Sequence, residues 1–442
     1  MTSIVTYDTV AHIAFVAQSL RSLSLPILSP AAACALPLLP TTLTSLSLVV
    51  SDSSSLDLAV QLPCLQHLSV STREGLYYLV LSLGQISHIS GLYALASLKL
   101  SQVFISDCRL TFDPLSVLTS LTELCVSSPL SAERLNQLPS SLKVLQLPCF
   151  AGGLEAAAGL GPTFNLTELR CRQALTEIDL SSLFHMRNLT RLSCDKIILS
   201  DSKVQAVQVL LMSQPLIQAM DLDTEPVTLL LPSVPLPVLP QVKSLSFSGY
   251  HKHNGLLGLM FPALASLSIS GINCLQRLEE LLNLAPICWS TPPQSTFVVQ
   301  SELAVKGPWW PSQLRTLGLG FSSSLRFRPK QIAASLSVMP DTMRNCVRLL
   351  ELRDRGRDAS GLEPAGRVVD DSVLASAVAE MQGIEELCLV QCGAVSGGGL
   401  RQVIQQLAGS RLVSLVVIGC PKISRAEAEG IPYMLGKPFM EA

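Results

Sequence analysis

Three cysteines and a run of three glycines stand close together near the C-terminal end, in "CLVQCGAVSGGGLRQVIQQLAGSRLVSLVVIGCPKIS", residues 388–424. Thiolates at Cys388, Cys392 and Cys420 could hold zinc or carry redox chemistry, and Gly397–Gly399 ahead of a helical segment could cradle a phosphate. Zinc needs four converging ligands. The only close pair here is C-x3-C, with no second pair and no histidine beside it. On a strand of period two, Cys388 points outward while Cys392 falls in the following turn, so these two diverge. A phosphate loop of the G-x4-G-K-[ST] type is absent, and the glycines read as the turn from strand to helix, where positive φ or close approach is needed. His251-Lys252-His253 has two ligand atoms and no third, and reads as a solvated loop. Trp309-Trp310 reads as ring filling in the core. With 6 histidines and neither G-x-S-x-G nor H-E-x-x-H, general-base chemistry has few candidates. No catalytic residue, metal site or cofactor is expected, and the protein is not expected to be an enzyme.

The cysteines point elsewhere. Cys392 and Cys420 are 28 residues apart, the same step as from Ile384 to Leu412. They are one slot of a repeat, seen twice. The repeating unit is a six-residue pattern of aliphatics at positions one, four and six. It reads LRSLSL at 20, LTSLSL at 43, LQHLSV at 65, LASLKL at 95, LTELCV at 121, LKVLQL at 142, LTELRC at 166 and LTRLSC at 189. It continues as IQAMDL at 217, VKSLSF at 242, LASLSI at 264, LRTLGL at 314, VRLLEL at 347, IEELCL at 384 and LVSLVV at 412. The 50-residue step from 264 to 314 reads as two units, one degenerate around Phe297 to Val299.

Each motif alternates inward and outward residues, as a half-buried strand does. One such strand cannot bury its apolar face alone, so neighbours must stack into a parallel sheet over a shared core. Cys171 and Cys194 occupy the final aliphatic slot and are expected to be core residues. Leu400, Val403, Ile404 and Leu407 have helical spacing, as do Leu374, Ala377, Val378 and Met381 after Asp370-Asp371. Val10, Ile13, Ala14 and Ala17 repeat it ahead of the first strand. The expected organisation is a capping segment at 1–19, an irregular array at 20–345, a unit with a charged mobile insertion at 346–383, cysteine-type units at 384–424 and a cap at 425–442.

The pattern, from residue 20 to 424, resembles the leucine-rich-repeat superfamily. The resemblance implies an α/β solenoid, a horseshoe with a parallel sheet on the concave face and irregular loops and short helices on the convex face. In the commonest repeat, an Asn or Cys eight residues after the first aliphatic satisfies backbone groups of the turn. Here that slot holds Ser51, Arg73, Val103, Pro129, Phe150, Ala174, Ile197 and Tyr250, which implies irregular turns. Only Cys392 and Cys420 fill it in the usual way. "CGAVSGGGL" and "CPKISRAEA" are similar to the cysteine-containing repeats of F-box proteins, with Gly397 and Arg425 where an acidic residue is usual.

Composition narrows the function. The chain has 442 residues, 48% hydrophobic and 14% charged, with net charge −2, which favours neither nucleic acid nor an anionic membrane. Prolines interrupt the long uncharged run after Arg21, and the first residues lack the basic start of a signal peptide. Thirteen cysteines without paired spacing suit a reducing compartment, so an intracellular protein, cytoplasmic or nuclear, of a eukaryotic kind is expected. Outward positions of the motifs are small and polar, and their charges gather at Glu123, Lys143, Glu168, Arg170 and Arg191. The reading is a non-enzymatic protein–protein interaction scaffold whose concave face binds a protein partner there. The alternative is the substrate-recognition part of an F-box-type ubiquitin ligase, with a ligase adaptor as partner, although no F-box-like segment is seen in this chain.

Overall fold

The computed structural model describes residues 4–50, 61–72, 79–81, 87–101, 103–105, 113–131, 137–151, 165–176, 183, 186–199, 216–222, 227–229, 239–248, 261–272, 278, 313–322, 328–337, 339, 341–355, 368–379, 381, 383–407, 411–424 and 427. The chain forms two compact units, Met1–Asp195 and Lys196–Ala442. Strands of the main parallel sheet follow chain order. The first unit contributes β1 (Ser22–Leu28), β2 (Ser45–Val50), β3 (His67–Thr72), β4 (Ser97–Ser101), β5 (Glu123–Val126), β6 (Val144–Leu147), β7 (Glu168–Cys171) and β8 (Arg191–Cys194). The second contributes β9 (Ala219–Leu222), β10 (Ser244–Ser248), β11 (Ser266–Ile272), β12 (Thr316–Ser322), β13 (Leu349–Arg355), β14 (Glu386–Val390) and β15 (Ser414–Ile418).

Every strand begins two residues after the first aliphatic of its motif, and neighbours pair at equal motif positions. Leu46 lies beside Leu68, Leu98 beside Leu124, and Leu387 beside Leu415. Fourth and sixth positions therefore stack as ladders on the core side. Leu68, Leu98, Leu124, Leu145, Leu169 and Leu192 are each at most 1% exposed. Each such leucine contributes on the order of 2 kcal/mol relative to an exposed one. Cys171 and Cys194 are buried in the same ladder. The second motif position has its own reason to be threonine. Its carbonyl accepts two backbone N–H groups from the next repeat, as Arg21 does from Thr44 and Ser45, each at 2.9 Å. A threonine there adds a third bond: Thr44 to Arg21, Thr122 to Ala96 and Thr167 to Lys143, all 3.1 Å.

One expectation changes. β11 and β12 pair directly, from Ser266↔Thr316 to Ile272↔Phe321. The 50-residue step therefore holds one sheet unit, not two, because a long excursion between strands leaves their pairing unaltered. Phe297 to Val299, and Trp309-Trp310 with them, lie outside the described residues. Some turns of the first unit carry a short second ladder. Val103–Ile105 pairs in parallel with Leu79–Leu81, and Phe150–Ala151 with Leu130–Ser131. In the second unit Lys196–Leu199 pairs with Val227–Leu229 in the same way. Where the slot is apolar, the backbone finds partners in a short second ladder instead of a side chain.

The helices are α1 (Tyr7–Val16), α2 (Pro329–Ser337), α3 (Asp341–Cys346), α4 (Asp371–Val378) and α5 (Gly397–Gln406), besides shorter pieces. α1 buries Val10 and Ala14 at the first strand, beside a bridge from Val5 to Leu28. α4 packs against both α2 and α5. α4 and α5 start where the helical spacing begins, capped by the Asp370 and Ser396 side chains. No described helix is long and apolar enough to cross a membrane.

Candidate functional site

The outward face of β4 to β8 carries the charges of the first unit. Sheet register sets them in rows. Third motif positions align Ser97, Glu123, Val144, Glu168 and Arg191. Fifth positions align Lys99, Cys125, Gln146, Arg170 and Ser193. Glu168 is the centre of one cluster. Its Oε1 takes Arg170 Nε at 2.7 Å and Arg191 Nε at 3.3 Å, and the Glu168 side chain is 16% exposed between arginine side chains 41% and 46% exposed. Glu123 is the centre of another, with Lys99 Nζ at 3.0 Å and the buried Ser97 hydroxyl donating at 2.7 Å. Burial pushes the Glu123 carboxyl up, but the bonds from Ser97 and Lys99 outweigh it and hold the group below its usual range.

Of the five residues picked out by charge, Glu168, Arg170 and Arg191 meet directly. Glu123 instead pairs with Lys99, one repeat earlier. Lys143 is exposed on the second motif position, and among the described residues it makes no ion pair. The Lys99–Glu123 pair was legible: third and fifth positions of adjacent motifs are diagonal neighbours in any parallel register. Cys125 lies between the clusters, half-buried, with its thiol pushed up by burial, which makes it a poor nucleophile.

The C-terminal features are structural. Cys392 is fully buried, and its thiol reaches the carbonyls of Leu352 at 3.4 Å and Val390 at 3.5 Å. Cys420 reaches Leu389 at 3.8 Å and Ile418 at 3.6 Å. Both satisfy backbone groups of the turn, as the slot requires. Gly397–Gly399 are not the turn itself but the first turn of α5, and none has positive φ, because Ser396 already caps the helix. Close approach explains them. A Cβ on Gly399 would collide with the Asp371 carboxylate, and one on Gly397 with that of Glu427. Asp371 accepts from the Ser396 amide and hydroxyl, both at 2.7 Å. The helix start where a phosphate could sit is occupied by the chain's own carboxylates. Among the described residues no three His, Cys, Asp or Glu side chains form a metal-binding group. His251–His253 and residues 356–367 of the charged segment lie outside the described residues.

No family model and no curated protein matches this chain. Solved structures do. A leucine-rich-repeat protein of Leptospira interrogans aligns over 96% of this chain and 90% of its own, at 15% identity and TM-score 0.35. An internalin (inlF) of Listeria monocytogenes aligns over 93% and 88%, at 13% identity and TM-score 0.32. TLR13, in a complex with single-stranded RNA, aligns over 92% of this chain and 52% of its own, at 16% identity and TM-score 0.37. The motif spacing and the equal-position register decide the fold.

The fold is a leucine-rich-repeat solenoid.

In this solenoid the first, fourth and sixth motif positions build the core, and the third and fifth present side chains outward. The charge clusters around Glu123 and Glu168 are built from those outward positions.

Proposed function

We propose that this solenoid is a non-enzymatic protein–protein interaction scaffold. Its partner, a protein, docks on the outward face of the sheet, the concave side of the repeat, over Glu123, Lys143, Glu168, Arg170 and Arg191. The observation that carries this is the ion-pair lattice Arg191–Glu168–Arg170 beside Lys99–Glu123 on one exposed face. Fixed pairs hold long side chains in place before a partner arrives, which lowers the ordering cost of binding. Lys99, Lys143, Arg170, Arg172 and Arg191 stand against Glu123, Glu168 and Asp195, so the patch is basic on a chain of net charge −2. The interleaved carboxylates disfavour a phosphate backbone and suit a protein surface of mixed charge with an acidic excess. Neither a membrane nor a nucleic acid is part of this reading. An intracellular site, cytoplasmic or nuclear, belongs to this reading, on the unpaired spacing of the 13 cysteines in the sequence.

A second reading is the substrate-recognition part of an F-box-type ubiquitin ligase. It is supported by Cys392 and Cys420, which fill the turn slot with equivalent hydrogen bonds.

Affinity purification from the native cell, read by mass spectrometry, tests both. Wild type is compared with the triple reversal Glu168→Arg, Arg170→Glu, Arg191→Glu. Proteins retained by wild type and reduced at least about tenfold with the reversal support docking here. Unchanged recovery of every partner contradicts the location. Recovery of the ligase adaptor favours the second reading.

A further inference from the structure

The last two turns of the solenoid are copies of one another. Val390 pairs with Ile418 across β14 and β15, and the Gln391 amide donates to the Ile418 carbonyl at 2.7 Å. The next residue of each turn has left-handed backbone, Gln391 with φ 57 and Gly419 with φ 65. A Cβ on Gly419 would stand 3.8 Å from the Gln391 Cα, so these residues stack in contact. A cysteine follows in each. Both thiols reach the carbonyl two residues back and the carbonyl of the sixth motif position in the preceding repeat. Cys392 and Cys420 therefore occupy one place in successive turns. Parallel-strand spacing sets their Cα atoms about 4.8 Å apart, inside the roughly 4.4–6.8 Å that a disulfide requires. Cys388 is closer in sequence but sits on the outward side of the sheet, opposite Val416.

We propose that Cys392 and Cys420 form a dithiol–disulfide pair that a hydroperoxide oxidises, cross-linking the last two repeats. The hydrogen bond with Cys392 holds the Cys420 thiol below its usual range against the effect of burial, so Cys420 is the sulfur that reacts first. Its sulfur attacks one peroxide oxygen. The O–O bond breaks, water or an alcohol leaves, and Cys420 becomes a sulfenic acid. The Cys392 sulfur then attacks the Cys420 sulfur. The S–S bond forms, the S–O bond breaks, and a second water leaves with the remaining thiol proton. Two electrons pass from the two sulfurs to the peroxide, and thiol–disulfide exchange reverses the step. Cys392 is 0% and Cys420 7% exposed, so the peroxide enters by local opening. β15 is the edge strand of the described sheet and leaves Ile418 54% exposed, and an edge strand opens at low cost.

The test treats the purified full chain with hydrogen peroxide, then unfolds it, alkylates free thiols and maps non-reduced peptides. Exposed Cys34 and Cys64 gauge whether the oxidant has acted. The expected result is a Cys392–Cys420 linked peptide, with amide exchange across residues 414–418 slowed by roughly tenfold or more. In Cys392→Ser, Cys420 is expected to stop at a sulfenic acid that a dione reagent traps. Alkylated Cys392 and Cys420 in a sample whose Cys34 and Cys64 are oxidised would overturn the proposal. A link from Cys420 to Cys388 would overturn it too.

Discussion

Asp354 is a carboxylate with no exposed surface. Its Oδ2 accepts the amides of Val368 and Val369, each at 2.9 Å, while Oδ1 has no partner. Those amides lead into the Asp370 cap, so Asp354 ties the return of the charged segment to β13. Burial pushes its pKa up against the two hydrogen bonds. A raised folded-state pKa favours the protonated native state. The stability this contributes is present in acid and is lost as pH rises through the folded value. Asp354→Ala leaves two buried amides unpaired and is expected to cost about 2–4 kcal/mol. Asp354→Asn keeps an acceptor and removes the charge. It is expected to cost less, and its deficit against wild type should shrink as pH is raised from acid to neutral. Urea midpoints across that range check this; a deficit that grows with pH would refute the assignment. The residue was legible only as part of a charged loop. β13 runs three residues past its motif, and period-two alternation turns position 354 inward.

At the scale of elements, the triple glycine separates three local demands. Gly399 lies against the short Asp371 side chain and Gly397 against the more flexible Glu427, whereas a Cβ on Gly398 would meet Ser396 Oγ at an ordinary 3.7 Å. Gly398→Ala is expected to stabilise α5 by up to about 1 kcal/mol, since a helical glycine costs about that much. Gly399→Ala should displace Asp371 from the Ser396 amide and cost roughly 1–3 kcal/mol. Gly397→Ala should fall between them. Thermal midpoints of the three variants give the order, and equal effects would show that close approach is not the reason for the glycines. From sequence these residues read as a turn. The Ser396 cap moves them inside the helix, and the reach of Asp371 comes from the preceding repeat, which spacing within one repeat does not reveal.

For the whole molecule, the motif placed all fifteen strands of the main sheet, because its aliphatic positions dictate both where a strand starts and which side it buries. Insertion length told less. The 50-residue step resembled two repeats, yet the pairing of Ser266 with Thr316 skips it. The charge clusters were half legible: composition of the motifs located Glu168, Arg170 and Arg191, while the Lys99–Glu123 pair required the register as well. The same register supplies an internal control for the central claim. Lys143 and Lys243 hold the second motif position in the first and second units, and both are exposed. Covalent lysine labelling, with and without the most enriched partner, tests the docking face directly. Lys143 and Lys99 are expected to be protected and Lys243 to label as before. Unchanged labelling at Lys143 with protection at Lys243 would contradict it.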